Sequence, residues 1–478
     1  MKYIKASKIL SSLMLALLCI ILAVSAAMCV GRIEYKSYIA AFAAGAVLFA
    51  AFVLVKKKLG GREFLCDKLG RRSLIIILTA LCFIINGAWI VIFQIEPSAD
   101  FETYWLYAKA LAAEQVAVNH YVALFPHIFG FSLFVSIFIK LFGAGRLLVP
   151  VINVILTCLS GIIIFDMCAR EYGARGGAGA YLLWIFLPSK LIYNAMVLSE
   201  PLYTFLILLF IYIIYRLDES GMSGGAVIKF IICGLLSGLI HRWINCVRPI
   251  AAVLIIAFAI WYALLRGEKF FDKQGRINFA LFAAAMLIAY IPTGYLWESY
   301  ETQRMGEEPA GVTGYSIYVG FNPATNGSYS NDDMEELFTC YFGDELSATE
   351  SHEVLLDRAK ERITSGEISY VPFFAHKLGT FLGNDEGGAY YAKDALSGRA
   401  YSLLSIFSNI YYYFVILLSI YGIYITIKEK KFSAVQLCQL YAVGLTCAHM
   451  LVEVAGRYHY SIIPMLVISS APAIKRKL

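Results

Sequence analysis

Long apolar runs dominate the sequence, and several of them contain no charged residue over 18 or more consecutive positions. A helix of that length crosses the hydrocarbon core of a bilayer. Since 60% of the 478 residues are hydrophobic and only 15% are charged, a soluble domain is excluded. Gly, Pro and polar residues interrupt the runs, which favours helices over the ten-residue alternation of a membrane β-barrel. We therefore predict an all-α protein that crosses the cell membrane many times.

The apolar runs define 12 to 13 transmembrane segments. Lysine clusters at 56–58 and 428–431 mark cytoplasmic connections by the positive-inside rule. Both termini are then cytoplasmic, which requires an even number of crossings. We therefore expect either 125–140 or 174–190 to be kinked or half-inserted. The thirteen candidates are 8–30, 37–55, 73–95, 124–142, 147–168, 174–190, 199–216, 225–243, 247–265, 277–297, 403–427, 433–452 and 460–474.

One stretch of about a hundred residues lacks such runs and is strongly acidic. Residues 298–401 hold 18 acidic residues and 7 Lys or Arg, whereas the rest of the chain holds 16 acidic residues and 33 Lys or Arg. This asymmetry indicates a membrane topology and not a nucleic-acid-binding surface. We predict a transmembrane region 1–297 with a first outer loop 96–122, an extracytoplasmic loop subdomain 298–402, and a second transmembrane region 403–478.

Acidic side chains appear directly after the third apolar run, where a helix leaves the lipid. After Pro97, Ser98 suits an N-cap, and apolar residues from Phe101 onward recur at helical spacing, which predicts an amphipathic helix in the interface. Asp100 is our candidate catalytic base, because partial burial beside lipid raises the pKa of a carboxyl toward the working range. The structural alternative is a first-turn acid that only stabilises the helix dipole. Glu102 is the second choice.

Cationic residues near the ends of later runs are candidates for binding an anion. Arg457 stands between the last two runs, where a charge so close to hydrocarbon usually has a partner. Glu453, one turn earlier, is one such partner. The alternative is that Arg457 and Tyr458 bind a lipid phosphate, for which guanidinium geometry is well suited. Arg248 and Lys377 are further candidates, although a lysine at a helix end also snorkels to water.

Several short motifs follow one another along the chain from about residue 95. They are Ser98-Ala99-Asp100, Phe125-Pro126-His127, Leu141-Phe142-Gly143, Ser199-Glu200-Pro201, Val247-Arg248-Pro249, Gly320-Phe321-Asn322, Asn326-Gly327-Ser328, and Glu453 with Arg457-Tyr458. In this order the set resembles the bacterial membrane glycosyltransferases of the GT-C fold. That group includes protein O-mannosyltransferases and aminoarabinose-transferring lipid A enzymes.

The resemblance implies transfer of a single sugar from a polyprenyl-phosphate donor to an acceptor on the outer face of the membrane. It implies that the acidic residue of the first outer loop, here Asp100, is the catalytic base. Because a lipid phosphate is a good leaving group, one carboxylate and a cationic clamp can suffice. The resemblance assigns binding of the lipid phosphate to Arg457 and Tyr458, with Lys377 or Arg248 as further candidates. The full set of predicted substrate-binding residues is Glu102, His127, Glu200, Arg248, Asn322, Lys377, Arg457 and Tyr458.

The chain also departs from the better-known members of that group. Asp100 is followed by Phe101 and not by the acidic neighbour of protein mannosyltransferases, and no acidic pair marks a metal site. We therefore predict neither a metal nor a cofactor. The expected partners are the lipid-linked donor, an acceptor that the sequence does not specify, and the lipid bilayer. The alternative function is a polytopic transporter or lipid flippase, although the paired halves with matching broken helices that transporters usually have are not apparent here.

Overall fold

The computed structural model describes residues 2–31, 36–219 and 226–475, and within these residues the chain forms helices and no strand. In chain order the helices are α1 (Lys2–Val30), α2 (Lys36–Leu59), α3 (Leu65–Lys68), α4 (Arg71–Ile92), α5 (Asp100–Ala113), α6 (His120–Leu124), α7 (His127–Phe142), α8 (Leu148–Ile185), α9 (Pro188–Asn194), α10 (Glu200–Glu219), α11 (Ala226–Val247), α12 (Ala252–Ile260), α13 (Lys273–Met305), α14 (Gly314–Gly320), α15 (Asn331–Phe338), α16 (Ala348–Thr364), α17 (Tyr370–Leu382), α18 (Gly387–Tyr391), α19 (Gly398–Glu429), α20 (Gln436–Leu451) and α21 (Ile463–Ile474).

Eight of the helices in the described ranges are long and apolar enough to cross a membrane: α1, α2, α4, α8, α10, α11, α13 and α19. Three further apolar helices are shorter, at His127–Phe142, Ala252–Leu265 and Ile463–Ile474. The predictions of an all-α fold and of a multi-pass membrane protein are confirmed.

The long helices run between two chemically different ends of the molecule. At one end Lys56 donates a hydrogen bond to the carbonyl of Ala473, and Arg71 forms a 3.0 Å ion pair with Asp166. These contacts bring together the end of α2, the end of α21 and the start of α4. Lys57 and Lys58 in the last turn of α2 and Arg72 at the start of α4 also lie here, and we call this the basic end.

The opposite end contains the connections that follow α4, α11 and α20. We call it the site end, because most of the sequence-predicted site residues lie there. α10 begins at Glu200 at the site end and ends at Glu219, where Arg170 forms a 3.4 Å ion pair with it at the basic end. Twenty helical residues span about 30 Å, so one helix separates the two ends by the thickness of the bilayer core.

An even number of crossings requires that one of the thirteen candidate segments does not cross the membrane. We assign this segment to α7. This helix begins at His127, and soon after its end Arg146 forms a 2.6 Å ion pair with Glu96, which also lies at the site end. Both ends of α7 therefore lie at the site end, and the helix does not cross. Of the two expected segments, 125–140 is the incomplete one.

The other expected segment, 174–190, contributes to a real crossing. α8 carries a kink at Gly173, whose φ of 78° is in the region that favours glycine. The first half of α8 runs to the basic end, and the second half, with α9 and residues 195–199, returns to Glu200. The kink at Gly173 lies outside 174–190, so it does not bear on the expectation that this segment is itself kinked or half-inserted.

The predicted domain boundaries fall inside helices. α13 runs through 297 and 298 without a break, and α19 begins before residue 402. Between them the acidic stretch forms α14 to α18, and it bonds back to the C-terminal part of the chain: Glu453 N–H donates to Ser316 O at 2.9 Å, and Val454 N–H donates to Gly327 O at 2.9 Å. The separate loop subdomain 298–402 stays a prediction.

Candidate active site

Asp100 is the first residue of the short helix α5. The residue before it, Ala99, has φ 50° and ψ −130°, a conformation that residues with a side chain rarely adopt. No side chain caps this helix, so the prediction that Ser98 is the N-cap is wrong. The sharp turn at Ala99 replaces the cap and directs the Asp100 carboxylate toward the C-terminal part of the chain.

The closest charged partner of Asp100 is Arg457. The Arg457 Nη2 atom donates to Asp100 Oδ2 at 2.6 Å, and the Tyr121 hydroxyl donates to Asp100 Oδ1 at 3.5 Å. Burial by itself raises the pKa of Asp100, but the Arg457 charge and its hydrogen bond outweigh burial, so the pKa lies below the ordinary value. The expectation that the pKa of Asp100 is raised is therefore wrong.

Arg457 lies in a 3-10 helix, Gly456–His459, between α20 and α21. Its side chain is 12% exposed, and its guanidinium lies 5.1 to 5.5 Å from the ring centres of Phe101, Tyr391 and Tyr458. Rings at that distance hold a cation by its attraction to their π faces. The partner suggested from the sequence, Glu453, is not the one observed, since the described ion pairs of Arg457 are to Asp100 and Glu200.

A second guanidinium also lies close to the Tyr458 ring. Arg248, in the turn after α11, forms a hydrogen-bonded ion pair with Glu200 at the start of α10, and its guanidinium is 5.3 Å from the centre of the Tyr458 ring. Arg457 Nε is 4.0 Å from the same Glu200 carboxylate. Two cations from distant parts of the sequence thus converge on one buried carboxylate.

Some polar atoms of this cluster have no hydrogen-bond partner within the described protein. They include the Nε atoms of Arg248 and Arg457 and the Oε2 atom of Glu200, all of which are buried. A buried polar group without a partner costs about 1–3 kcal/mol. Such atoms are expected where a ligand or ordered water completes the hydrogen bonding.

A cavity of about 580 Å³ adjoins the cluster. It is lined by residues from α10, the end of α11, α13, the start of α7 and the segment after α20. Tyr203, Tyr458 and Tyr460 contribute aromatic surface to its wall. Its ionisable wall residues include His127, Glu200, Arg242, Arg248, Glu301 and Glu453. A concave space of this size on which several ionisable groups converge is typical of a small-molecule site.

Glu453 enters the cavity wall from an extended segment that follows α20. Its backbone N–H is bonded to Ser316 O, and the Tyr458 hydroxyl donates to Glu453 Oε1 at 3.3 Å. Burial raises the pKa of Glu453 to about 7, against the opposing effect of the nearby Arg457 charge. The site therefore contains two carboxyls, Asp100 and Glu453, whose pKa values move in opposite directions.

Arg457 does not itself line the cavity, and neither do three further sequence-predicted binding residues, Glu102, Asn322 and Lys377. Lys377 is fully buried and donates to Gly320 O at 2.5 Å and to Val452 O at 2.8 Å. Asn322 is also buried and donates to Asp333 Oδ2 at 2.8 Å. Glu102 is exposed on α5. In this arrangement Lys377 and Asn322 connect backbone segments, and contact of these three residues with a substrate stays a prediction.

The described residues do not form a metal-binding group. Among them, no group of three or more His, Cys, Asp or Glu side chains comes together in a way that could hold a metal ion. The groups of the site that can act on a substrate are its guanidinium, carboxylate and aromatic side chains.

Comparisons with known proteins give structural similarity alone. No protein-family model matches the sequence, and no curated protein matches it significantly. The chain is similar to the solved structure of the archaeal oligosaccharyltransferase AglB from Archaeoglobus fulgidus in complex with an inhibitory peptide and a dolichol-phosphate. The TM-score is 0.49 at 12% identity. The match covers 86% of this chain and 50% of AglB, so the chain spans about half the length of that protein.

A second similarity is to ArnT from Cupriavidus metallidurans bound to undecaprenyl phosphate. The TM-score is 0.38 at 10% identity, and the match covers 82% of this chain and 78% of ArnT. Because both TM-scores are below 0.5, the two similarities do not carry a function, which has to rest on the residues of the site.

Some residues of the cluster were not identified from the sequence. Tyr391 lies against Arg457 although it is 66 positions away, and it belongs to no motif. Tyr121 hydrogen-bonds Asp100, and its position next to the His127 motif was the only available signal. Glu453 was considered only as an ion-pair partner, because sequence spacing does not reveal that its side chain faces a cavity.

Proposed function

We propose that this protein transfers a sugar from a polyprenyl-phosphate donor to an acceptor. The observation that carries the proposal is the convergence of Arg248 and Arg457 on one buried carboxylate, Glu200, beside a 580 Å³ cavity. Buried guanidinium N–H groups without protein partners are suited to a phosphate, which accepts several charge-assisted hydrogen bonds. A single hexose or pentose is of a size that fits the cavity.

The chemistry follows from the charges of the site. As the bond between the sugar and the phosphate breaks, negative charge develops on the departing lipid phosphate. Cations fixed in advance near that oxygen stabilise the transition state more than the ground state. Arg248 and Arg457 supply this charge. Both guanidinium groups lie within 5.5 Å of the centre of the Tyr458 ring.

The charges at the two ends of the molecule support one side of the membrane for the active site. Lys56 and Arg71 belong to the basic end, and lysine-rich connections face the cytoplasm in most membrane proteins. The cluster around Arg457 lies at the opposite end of the helices. This arrangement supports an extracytoplasmic active site in the cell membrane, where a lipid-linked donor has access from the bilayer and an acceptor has access from water.

The experiment that tests the function uses the purified full-length protein with undecaprenyl-phosphate hexoses and pentoses. A bacterial envelope fraction supplies acceptors, and released undecaprenyl phosphate is quantified by mass spectrometry. We expect release with at least one donor sugar, at a rate well above that of a matched sample without protein. A transporter or flippase would leave the sugar–phosphate bond intact in every sample, and that result would refute the proposal.

A further inference from the structure

We propose that Glu453, and not Asp100, is the general base that removes the proton from the acceptor hydroxyl. This assignment rests on the proposed glycosyl transfer and names the group that performs its proton transfer. Three observations support it: the place of the two carboxylates relative to the cavity, their charged partners, and the way in which each is held.

The first observation is position. Glu453 lines the 580 Å³ cavity, whereas Asp100 does not. The carboxylate of Asp100 is turned toward Arg457 and Tyr121. A general base has to come within hydrogen-bond distance of the acceptor hydroxyl, so the carboxylate in the wall of the cavity is better placed.

The second observation is pairing. Asp100 forms a 2.6 Å ion pair with Arg457, and Glu200 is paired with Arg248. Within the described residues no Lys or Arg side chain lies within 4.0 Å of the Glu453 carboxylate. A carboxylate that is bound to a guanidinium is a weak proton acceptor, because the cation stabilises its ionised form. Glu453 has no such partner.

The third observation is the way in which Glu453 is held. The Tyr458 hydroxyl donates to its Oε1 atom, and its backbone N–H is fixed to Ser316 O. The Tyr458 ring in turn stacks on His449 at 5.3 Å, and the His449 Nδ1 atom lies 3.1 Å from the backbone carbonyl of Glu453. These contacts orient one carboxylate oxygen of a residue that lines the cavity.

The charged and titratable groups around Glu453 come from several elements. Arg457, Tyr458 and Lys377 favour its ionised form, whereas Asp100 opposes it. The hydroxyls of Tyr315, Tyr329 and Tyr391 also lie within electrostatic reach. With burial as the largest influence, the pKa of Glu453 is raised to about 7. A base with a pKa near the working pH is the most effective, and two carboxyls whose pKa values diverge indicate a division of roles.

The proposed reaction is a single displacement at the anomeric carbon of the sugar. The acceptor hydroxyl oxygen forms a bond to the anomeric carbon of the sugar while the bond from that carbon to the phosphate oxygen breaks. The electron pair of the broken bond stays on the phosphate, which leaves as polyprenyl phosphate. The proton of the hydroxyl passes to the Glu453 carboxylate and is later released to water. No further reactant is required.

The test is a pH profile of kcat/KM for undecaprenyl phosphate release by the full-length protein. For the wild type we expect the rate to rise tenfold per pH unit below about 7 and then to level off, because only the ionised base accepts a proton. Glu453→Gln is expected to remove this rise and to lower the plateau by about 10²- to 10⁴-fold. Glu453→Asp, which keeps a carboxylate, should keep the rise, and Glu367→Gln serves as a matched change at an exposed site.

The possible outcomes separate the two proposals. A wild type that releases no undecaprenyl phosphate refutes the glycosyl transfer and this assignment with it. Transfer by the wild type, with an unchanged rate and profile in Glu453→Gln, refutes the assignment alone. If Asp100→Asn and not Glu453→Gln abolishes the rise, Asp100 is the base. Thermal unfolding of each variant in detergent identifies a loss of activity that comes from misfolding, and in that case the profile of Glu453→Asp decides.

Discussion

At the scale of single residues, the site contains two carboxylates with different environments. Asp100 is held in an ion pair with Arg457, and its pKa is lowered, whereas Glu453 is buried in the cavity wall with its pKa raised to about 7. The pairing makes Asp100 a positioning residue for Arg457, with the strained turn at Ala99 setting its direction. Sequence spacing identifies both acids, but it does not reveal which of them is paired.

Asp100→Asn separates the two roles. We expect the variant to keep a pH-dependent rise of kcat/KM, displaced to lower pH, because the Asp100 charge raises the pKa of Glu453 and its removal favours ionisation. The donor KM should increase, since Arg457 loses the partner that orients it. The measurement is the pH profile with the donor KM determined at each pH. Loss of the pH-dependent rise of kcat/KM in Asp100→Asn would identify Asp100 as the base.

At the scale of elements, Lys377 on α17 fixes the segment that carries Glu453. Its ammonium donates to the carbonyls of Gly320 at the end of α14 and Val452 after α20. Gly320 permits this close approach, because a Cβ atom there would lie 2.5 Å from the Val452 carbonyl carbon. The sequence offers Lys377 as a phosphate ligand or as a lysine that snorkels to water, but it does not predict that the ammonium bonds to two backbone carbonyls.

Lys377→Met tests this structural role. The change removes the donor and leaves two buried carbonyl groups unsatisfied, for which we expect a loss of about 1–3 kcal/mol per group in the free energy of unfolding. Thermal unfolding in detergent should show a clearly lower Tm, while the Kd for undecaprenyl phosphate stays within about threefold of the wild type. An unchanged Tm with a much weaker Kd would instead indicate that Lys377 contacts the phosphate.

At the scale of the whole molecule, the apolar runs were sufficient to predict the all-α architecture and a protein that crosses the membrane many times. The parity of the crossings also predicted that one segment between Asp100 and Glu200 does not cross. It did not decide which one, because α7 has the composition of a spanning helix and only the Arg146–Glu96 ion pair reveals that both its ends lie at the site end. The predicted boundary at 298 lies inside α13, because this helix continues to Met305, beyond the apolar run that ends at 297.

The convergence of the two cations is likewise a property of the whole fold. Arg248 follows α11 and Arg457 precedes α21, and more than 200 residues of sequence separate them. The ordered motifs indicated both residues as candidates, but their shared contacts with the Glu200 carboxylate and the Tyr458 ring depend on three-dimensional packing. No pattern in the sequence spacing encodes that contact.

The most direct test of the account is the affinity of the purified protein for undecaprenyl phosphate, measured by native mass spectrometry on the wild type and three variants. Arg457→Ala is expected to raise the Kd by about 10- to 100-fold, the effect of losing charge-assisted hydrogen bonds. Arg457→Lys should give an intermediate value, because it keeps the charge without the planar fork. Arg399→Ala, at an exposed site, should bind like the wild type. An Arg457→Ala variant that folds normally and binds as tightly as the wild type would contradict the phosphate clamp.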